Sequence, residues 1–163
     1  VDPVMVATSG DKLIDDVARK HLKEEILPLA TIITPNVPEA EEIVNFKILT
    51  EDDVNRAGKF IIDEVGCKSV VIKGGHLTGE AKDYLFLNDG TKKVWTSERF
   101  KTNHTHGTGC TFSAVIVAEL AKGKSIIEAV DIGKKFITAA IKYTPELGHG
   151  NGPVNHIAFK GDL

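Results

Sequence analysis

The stretch Ser69-Val70-Val71-Ile72-Lys73-Gly74-Gly75 decides the fold class. Its apolar residues follow one another without polar residues between them, which is typical of a strand buried on both faces. The helical pattern before it has apolar positions over 54–65, begins at Thr50 and ends at Gly66. A buried strand among helices predicts an α/β fold with a mostly parallel central sheet flanked by helices.

The residues before this stretch continue the alternation. Apolar positions over 13–27 predict a helix capped by Ser9 or Asp11, and 31–33 is a short run of strand type. A further helix is predicted to start at Pro38, because proline suits the first helical position. This order of elements again indicates an α/β protein.

After the buried strand, the pattern changes. Asn88-Asp89-Gly90 lies between two apolar runs and predicts an antiparallel hairpin. One long helix is predicted to start near Gly109, and another is capped by Ser125 with Glu128 three residues on. The last stretch, 148–153, is glycine-rich and predicted to be irregular.

Composition excludes several classes of protein. The 163 residues suit one domain spanning 1–163. The net charge of −3 offers no basic surface for nucleic acid, and no apolar run is long enough to cross a membrane. Two cysteines cannot form a disulfide framework, so we expect a cytoplasmic protein. Val1-Asp2-Pro3-Val4-Met5 is typical of the end of a buried strand, and we expect earlier strands to precede it.

The glycine-rich turn His104-Thr105-His106-Gly107-Thr108-Gly109-Cys110-Thr111 leads directly into an apolar helix. The first helical turn carries N–H groups without partners inside the helix, and glycine lets a ligand approach the backbone closely. This arrangement favours a phosphate site. A turn that needs glycine only for tight packing fits the pattern equally well.

The two cysteines stand in different settings. Cys110 lies in the first turn of that helix, where the dipole favours a thiolate that acts as base or nucleophile. The alternative is a small packing residue. Cys67 lies between a helix end and a strand, and we expect it in the core. His76, His104, His106 and His149 occur singly and are expected at the surface or in loops.

Polar residues follow three of the predicted strands. Asp2, Asn36 with Glu39, and Lys73 each come after an apolar run. Carboxylate and amide oxygens can organise a divalent ion, and lysine can meet a phosphate. Because parallel strands end at one edge of a sheet, these residues together predict a site for a metal–nucleotide and hence phosphoryl transfer.

Four stretches also resemble a known family: 2–10, 34–41, 71–76 and 106–114. They are similar, in order, to the hydroxymethylpyrimidine/phosphomethylpyrimidine kinases of thiamine biosynthesis, which belong to the ribokinase-like superfamily. The helical tail after Ser125 also fits. The resemblance covers the carboxyl-terminal part of that family, so the amino-terminal part is expected to be absent. It implies two ATP-dependent phosphorylations, first of the pyrimidine alcohol and then of its monophosphate.

The resemblance also implies roles for the residues at the predicted site. The turn Gly107-Thr108-Gly109 would be the anion hole for the transferring phosphoryl group, and Cys110 stands where most of the superfamily has an aspartate base. Val4 would line the pyrimidine pocket, where Cys110 also contacts substrate.

Further roles concern ATP and Mg²⁺. Asn36 and Glu39 match the superfamily's Asn-x-x-Glu motif, which organises Mg²⁺ through water. Lys73 would contact the ATP phosphates, and Asp2 would lie near the metal and the phosphates. The family also leads us to expect a homodimer.

Three alternatives stay open. Pyridoxal kinases of the same superfamily include members with the same Gly-Thr-Gly-Cys turn. A non-catalytic nucleotide-binding protein is favoured by the missing amino-terminal part and opposed by four intact motifs. A thiol oxidoreductase built on Cys110 lacks a Cys-x-x-Cys pair.

Overall fold

In a computed structural model, the chain is described over residues 1–5, 13–74 and 81–160. It forms two compact units, Val1–Ser97 and Glu98–Leu163. The predicted caps Ser9 and Asp11 lie outside the described residues, as do Gly75 and His76 of the motifs.

The first helical region is divided into three short pieces. Helix α1 (Asp16–His21) is followed by a π-helical turn over Leu22–Ile26 and a 3₁₀ turn over Leu27–Leu29. Asp15 caps α1, because its carboxylate accepts the Ala18 N–H at 2.7 Å. The prediction of one continuous helix over 13–27 is therefore wrong, because the segment changes from α-helical to π-helical and then to 3₁₀ geometry. Pro28 lacks an N–H group, so the α-helical hydrogen-bond series cannot continue through it.

Two well-capped helices follow in the same unit. Helix α2 (Val37–Val44) begins after Asn36, and helix α3 (Glu51–Asp63) begins after Thr50. Each helix has a capping box. The side chain of the capping residue accepts the backbone N–H of the third helical residue, and the side chain of that third residue accepts the backbone N–H of the capping residue. Pro38 is the second residue of α2 instead of the predicted first, because Asn36 takes the cap.

The regular strands of this unit form an antiparallel sheet. Strands β1 (Ser69–Lys73), β2 (Ala81–Leu87) and β3 (Lys92–Ser97) pair in that order. The Asp-Gly hairpin is confirmed between β2 and β3, where Gly90 has a φ of +86°. The prediction of a mostly parallel sheet is wrong for the strands that the structure describes, because β1 pairs with the hairpin instead of with a parallel strand.

On the other side of β1, the described residues of this unit form short pieces of parallel pairing. The Ile33 N–H donates to the Ser69 carbonyl, and the Val71 and Lys73 N–H groups donate to the carbonyls of Ile33 and Pro35. The next donor in this series would be residue 35, which is proline and has no N–H. The predicted strand over 31–33 is therefore reduced to isolated bridges.

The first unit has a continuous apolar core. Helix α3 packs closely on the sheet: a Cβ at Gly58 would lie 2.4 Å from the Phe86 ring. The core also takes in buried residues from the start of the chain, from α2 and from β1, including Met5, Ile43, Ile61, Val70 and Ile72. Cys67 belongs to this core, as predicted.

The second unit consists of two helices and a closing segment. Helix α4 (Thr108–Ala121) is capped by Gly107, and helix α5 (Ile126–Lys142) by Ser125. Gly133 allows the two helices to approach, because a Cβ there would lie 3.0 Å from the Phe112 ring. The closing segment, residues 148–156, is irregular, which confirms the prediction for 148–153.

None of the helices in the described parts of the chain combines the length and apolar character that crossing a membrane requires.

Candidate functional site

Three of the polar residues in the first unit meet through one carboxylate oxygen. Asp2 Oδ1 accepts hydrogen bonds from Thr34 Oγ1 at 3.1 Å and from Lys73 Nζ at 3.2 Å. The Asp2 and Lys73 side chains are each 17% exposed, so water screens their attraction less than at an open surface. The parallel pairing brings Asn36 beside Lys73. We name Asp2, Thr34, Asn36, Glu39 and Lys73 the strand-end cluster.

Asn36 and Glu39 are locked together at the start of α2. Asn36 Oδ1 accepts the Glu39 N–H, and Glu39 Oε2 accepts the Asn36 N–H, each at 2.8 Å. Glu39 is only 3% exposed. This burial raises the pKa of its carboxyl group above the ordinary value; the Asn36 N–H and the Lys73 ammonium act in the opposite direction, and the Asp2 carboxylate adds to the rise. The carboxylate is thus held in one orientation in a site that disfavours its charge.

The donor set suits a hard divalent cation held through water. Asp2 and Glu39 supply carboxylate oxygens, which Mg²⁺ prefers. Asn36 Oδ1 and Glu39 Oε2 already accept backbone hydrogen bonds, which favours contact through water over direct ligation. A cation here would also offset the cost of the buried Glu39 charge. In the described ranges, no three His, Cys, Asp or Glu side chains form a group that could hold a metal ion by themselves.

Asp83 is a buried acid that the sequence reasoning missed. It lies on β2 directly opposite Lys73, is 8% exposed, and accepts the Gly74 N–H at 3.1 Å. Gly74 must lack a side chain, because a Cβ would lie 2.1 Å from the Lys82 carbonyl oxygen. The sequence signal that could have found Asp83 is its position directly before the apolar run Tyr84-Leu85-Phe86-Leu87.

In the second unit, the glycine-rich turn has the geometry of an uncapped helix start. Gly107 has a φ of +84°, a left-handed conformation that favours glycine, and no side chain caps α4. The first helical hydrogen bond runs from the Thr111 N–H to the Gly107 carbonyl. The N–H groups of Gly109 and Cys110 precede that bond, so they have no acceptor within the helix. The Thr108 hydroxyl donates to the Thr105 carbonyl at 2.7 Å.

The two cysteines differ in exposure, and the prediction that Cys67 lies in the core is confirmed. Cys110 is exposed in the first turn of α4, and both cysteines are free thiols. Cys67 is 1% exposed, and its burial raises the pKa of the thiol to about 11. Cys67 therefore stays a protonated thiol near neutral pH.

The closing segment is hydrogen-bonded to His106, which directly precedes Gly107 of the glycine-rich turn. The His106 N–H donates to the Gly152 carbonyl at 3.0 Å, and the Val154 N–H donates to the His106 carbonyl at 3.2 Å. Gly152 fits tightly, because a Cβ would lie 2.0 Å from His104 Nδ1. His104 lies in a loop, as predicted, and is half-buried with Nδ1 enclosed. The sequence signal that could have found these contacts is the spacing of glycines before Pro153.

The structure therefore brings together Asp2, Asn36, Glu39 and Lys73 within the first unit. Gly107, Thr108, Gly109 and Cys110 lie together in the second unit. Val4, which the resemblance assigned to the pyrimidine pocket, is 43% exposed.

Comparison with known proteins shows which family this sequence matches. The family model described as phosphomethylpyrimidine kinase matches residues 1–155. A hydroxymethylpyrimidine/phosphomethylpyrimidine kinase of Staphylococcus aureus strain MSSA476 is 56% identical over 161 residues, which is 98% of this chain and 58% of that protein. The chain thus spans somewhat more than half the length of such curated relatives.

Solved structures agree with the sequence match. The phosphomethylpyrimidine kinase of Clostridium difficile 630 is 46% identical and has a TM-score of 0.75, over 86% of this chain and 56% of that one. The pyridoxal kinase of Staphylococcus aureus in complex with AMP-PCP is 36% identical and has a TM-score of 0.88, over 98% of this chain and 58% of that one. The chain has the α/β fold of these kinases, and it belongs to the phosphomethylpyrimidine kinase family.

Proposed function

We propose that the protein transfers a phosphoryl group from ATP to 4-amino-5-hydroxymethyl-2-methylpyrimidine and then to the resulting monophosphate, producing the diphosphate used in thiamine biosynthesis. The observation that carries this proposal is the strand-end cluster, in which Lys73 is paired with Asp2 and the Asn36–Glu39 pair lies at the start of α2. A fixed ammonium beside carboxylates suits the phosphates and metal of a nucleotide. The family membership supports the reaction type.

Lys73 has the role of contacting the ATP phosphates. In the structure its ammonium is paired with Asp2, and the neighbouring Thr34 holds the same oxygen. A charged group that is already in position before the substrate arrives needs little reorganisation free energy during the reaction. Lys73 would then exchange part of its contact with Asp2 for a phosphate oxygen.

Asp2, Asn36 and Glu39 have the role of holding Mg²⁺, largely through water. When bound, the ion neutralises negative charge that develops on the phosphates. The capping box of α2 fixes Glu39, and the ordered carboxylate can in turn orient water molecules around a cation.

The glycine-rich turn has the role of stabilising the transferring phosphoryl group. The N–H groups of Gly109 and Cys110 lie at the positive end of the α4 dipole, and neither Gly107 nor Gly109 adds a side chain in front of them. The hydrogen bond from the Thr108 hydroxyl to the Thr105 carbonyl stiffens the turn. Such a rigid donor set favours the transition state over the ground state.

Cys110 has the role of a base that takes or orients the proton of the pyrimidine alcohol as its oxygen attacks the γ-phosphate. Its exposure in the first turn of α4 leaves the sulfur accessible to a substrate. Val4 completes the proposed contacts with the pyrimidine, and its 43% exposure leaves its side chain free to pack against a ring.

A pyridoxal kinase is the second candidate. The TM-score of the pyridoxal kinase structure exceeds that of the phosphomethylpyrimidine kinase structure, 0.88 against 0.75. Sequence identity favours the pyrimidine kinase, 46% against 36% in the same two structures. A non-catalytic nucleotide-binding role is the third candidate.

Kinetic comparison of substrates tests the proposal. Initial rates of ADP formation by the full-length protein should give kcat/KM for the hydroxymethylpyrimidine and its monophosphate that exceeds the value for pyridoxal by at least tenfold. Preference for pyridoxal would establish the second candidate. Binding of Mg·ATP by calorimetry without turnover of any of the three substrates would establish the third.

The proposal also covers the domain, the sheet, the oligomeric state and the cellular location of the protein. We propose that residues 1–163 belong to one domain, and that parallel strands continue the pairing seen at Ile33 and Asn36 in the full-length sheet. We also propose a cytoplasmic homodimer that acts on small molecules and binds neither nucleic acid nor membrane. Size-exclusion chromatography with light scattering tests the dimer.

A further inference from the structure

We propose that Asp83 is a positioning residue that fixes the direction of Lys73 toward the phosphates of ATP. This inference rests on the proposed role of Lys73. It assigns a function to a buried acid that the reaction itself does not use.

Burying the Asp83 carboxylate lowers the stability of the fold unless hydrogen bonds replace its contacts with water. A carboxylate that is 8% exposed has lost most of its hydration, and such groups persist only where hydrogen bonds compensate. One of these bonds is known: Asp83 Oδ1 accepts the N–H of Gly74 at 3.1 Å. The acceptor therefore holds the backbone of the residue that directly follows Lys73.

The register places the same acid opposite the lysine itself. Lys73 and Asp83 are Cα partners in the antiparallel pair of β1 and β2, so their side chains leave the sheet on the same face. Asp83 thus starts from the position opposite Lys73 and binds the peptide group that directly follows it. Through that peptide group it fixes the backbone from which the Lys73 side chain extends.

Gly74 leaves the backbone little freedom to compensate. Its Cα lies so close to β2 that a Cβ would be 2.1 Å from the Lys82 carbonyl and 3.3 Å from the Tyr84 ring. The end of β1 is therefore held between the Asp83 carboxylate and the β2 backbone. Removing the acceptor leaves a buried N–H unpaired, and we expect the chain at 73–74 to shift to recover a partner.

The test compares acceptor-deleting and acceptor-keeping variants in the full-length protein. Asp83→Ala removes the acceptor, whereas Asp83→Asn keeps an oxygen for the Gly74 N–H. Losing a hydrogen bond from a buried N–H corresponds to about a tenfold effect. We expect Asp83→Ala to raise KM for ATP about tenfold and Asp83→Asn to stay within about twofold. Asp63→Ala, an exposed acid at the end of α3, is the matched control.

A double-variant cycle separates positioning from simple stabilisation. If Asp83 acts through Lys73, Lys73→Ala combined with Asp83→Ala should have the same KM for ATP as Lys73→Ala alone. A merely structural role would lower the melting temperature and the active fraction while leaving KM for ATP unchanged. Should Asp83→Ala not fold, Asp83→Val removes the acceptor with a residue that suits a buried strand.

The outcomes also distinguish this inference from the proposed function. If Lys73→Ala raises KM for ATP but the Asp83 variants without an acceptor do not, the positioning role is overturned and the role of Lys73 stands. If Lys73→Ala itself leaves KM for ATP unchanged, the proposed phosphate contact is overturned together with the positioning role.

Discussion

Replacing Glu39 by glutamine separates its two roles, as a helix cap and as an organiser of Mg²⁺. Glutamine keeps an oxygen for the Asn36 N–H, which Glu39 Oε2 accepts at 2.8 Å. The bond changes from charge-assisted to neutral, a loss of about 1 kcal/mol, and the α2 dipole loses an anion worth about 0.3–1 kcal/mol. Burial opposes both losses and is the largest influence on this carboxyl group, since it raises the pKa.

The direction of that pKa decides the net effect on stability. Because the folded-state pKa of Glu39 lies above the unfolded value, the wild-type protein loses stability as the pH rises through the folded-state pKa. Glutamine does not titrate, so Glu39→Gln removes this loss. Without Mg²⁺ at neutral pH, we expect the variant to melt at or slightly above the wild-type temperature in differential scanning calorimetry.

The effect on metal dependence should be much larger. Residues that hold a metal through water typically contribute 10–100-fold to metal affinity or activity. Initial rates of the full-length protein against free Mg²⁺ should therefore show a midpoint about 10–100-fold higher for Glu39→Gln. Glu42→Gln is the control, since Glu42 lies on the same helix and pairs with Arg19. Equal Mg²⁺ midpoints for the two variants would reduce Glu39 to a helix cap and refute its metal role.

The other predictions concern the second unit. Gly109→Val should abolish phosphoryl transfer in an ADP-release assay, because its side chain blocks approach to the first-turn N–H groups. Cys110→Ala should lower kcat about 10²–10⁴-fold, and Cys110→Asp should recover part of it. Iodoacetamide, followed by mass spectrometry, should modify the exposed Cys110 faster than Cys67, whose buried thiol has a pKa of about 11, and bound ATP should slow it. Gly152→Ala should lower the free energy of unfolding in urea by about 1–3 kcal/mol, because its Cβ would overlap His104.

Matched variants give these predictions their controls. Gly150→Ala adds a Cβ with nothing within 4 Å, so it should unfold like the wild type. If Gly152→Ala is as stable as the wild type, close packing of Gly152 against His104 does not stabilise the segment before α4. Near-normal kcat in Cys110→Ala would make Cys110 a packing residue, and turnover by a folded Gly109→Val would exclude the anion hole.

Features that depend on near neighbours in the chain could be predicted from the sequence. The helix starts at Thr50 and Ser125 are formed by residues three positions apart, and both are confirmed. The hairpin at Asp89-Gly90 is equally local. The first turn of α4 was placed within one residue, because glycines in front of an apolar run mark a helix start.

Features that depend on distant partners could not be read in the same way. An apolar run such as 31–33 indicates a strand but not its pairing, and Pro35 removes the donor that a continuous parallel ladder requires. Asp83 and Gly152 were missed for the same reason. Their roles come from the Gly74 N–H and from His104, which are brought near by the fold.

A time course of product formation tests the central claim most directly. The full-length protein is mixed with the hydroxymethylpyrimidine, ATP and Mg²⁺, and the products are followed by mass spectrometry. The proposed function predicts that the monophosphate appears first and is then converted to the diphosphate, with one ADP released at each step. An unchanged pyrimidine alcohol in the presence of bound Mg·ATP would contradict it.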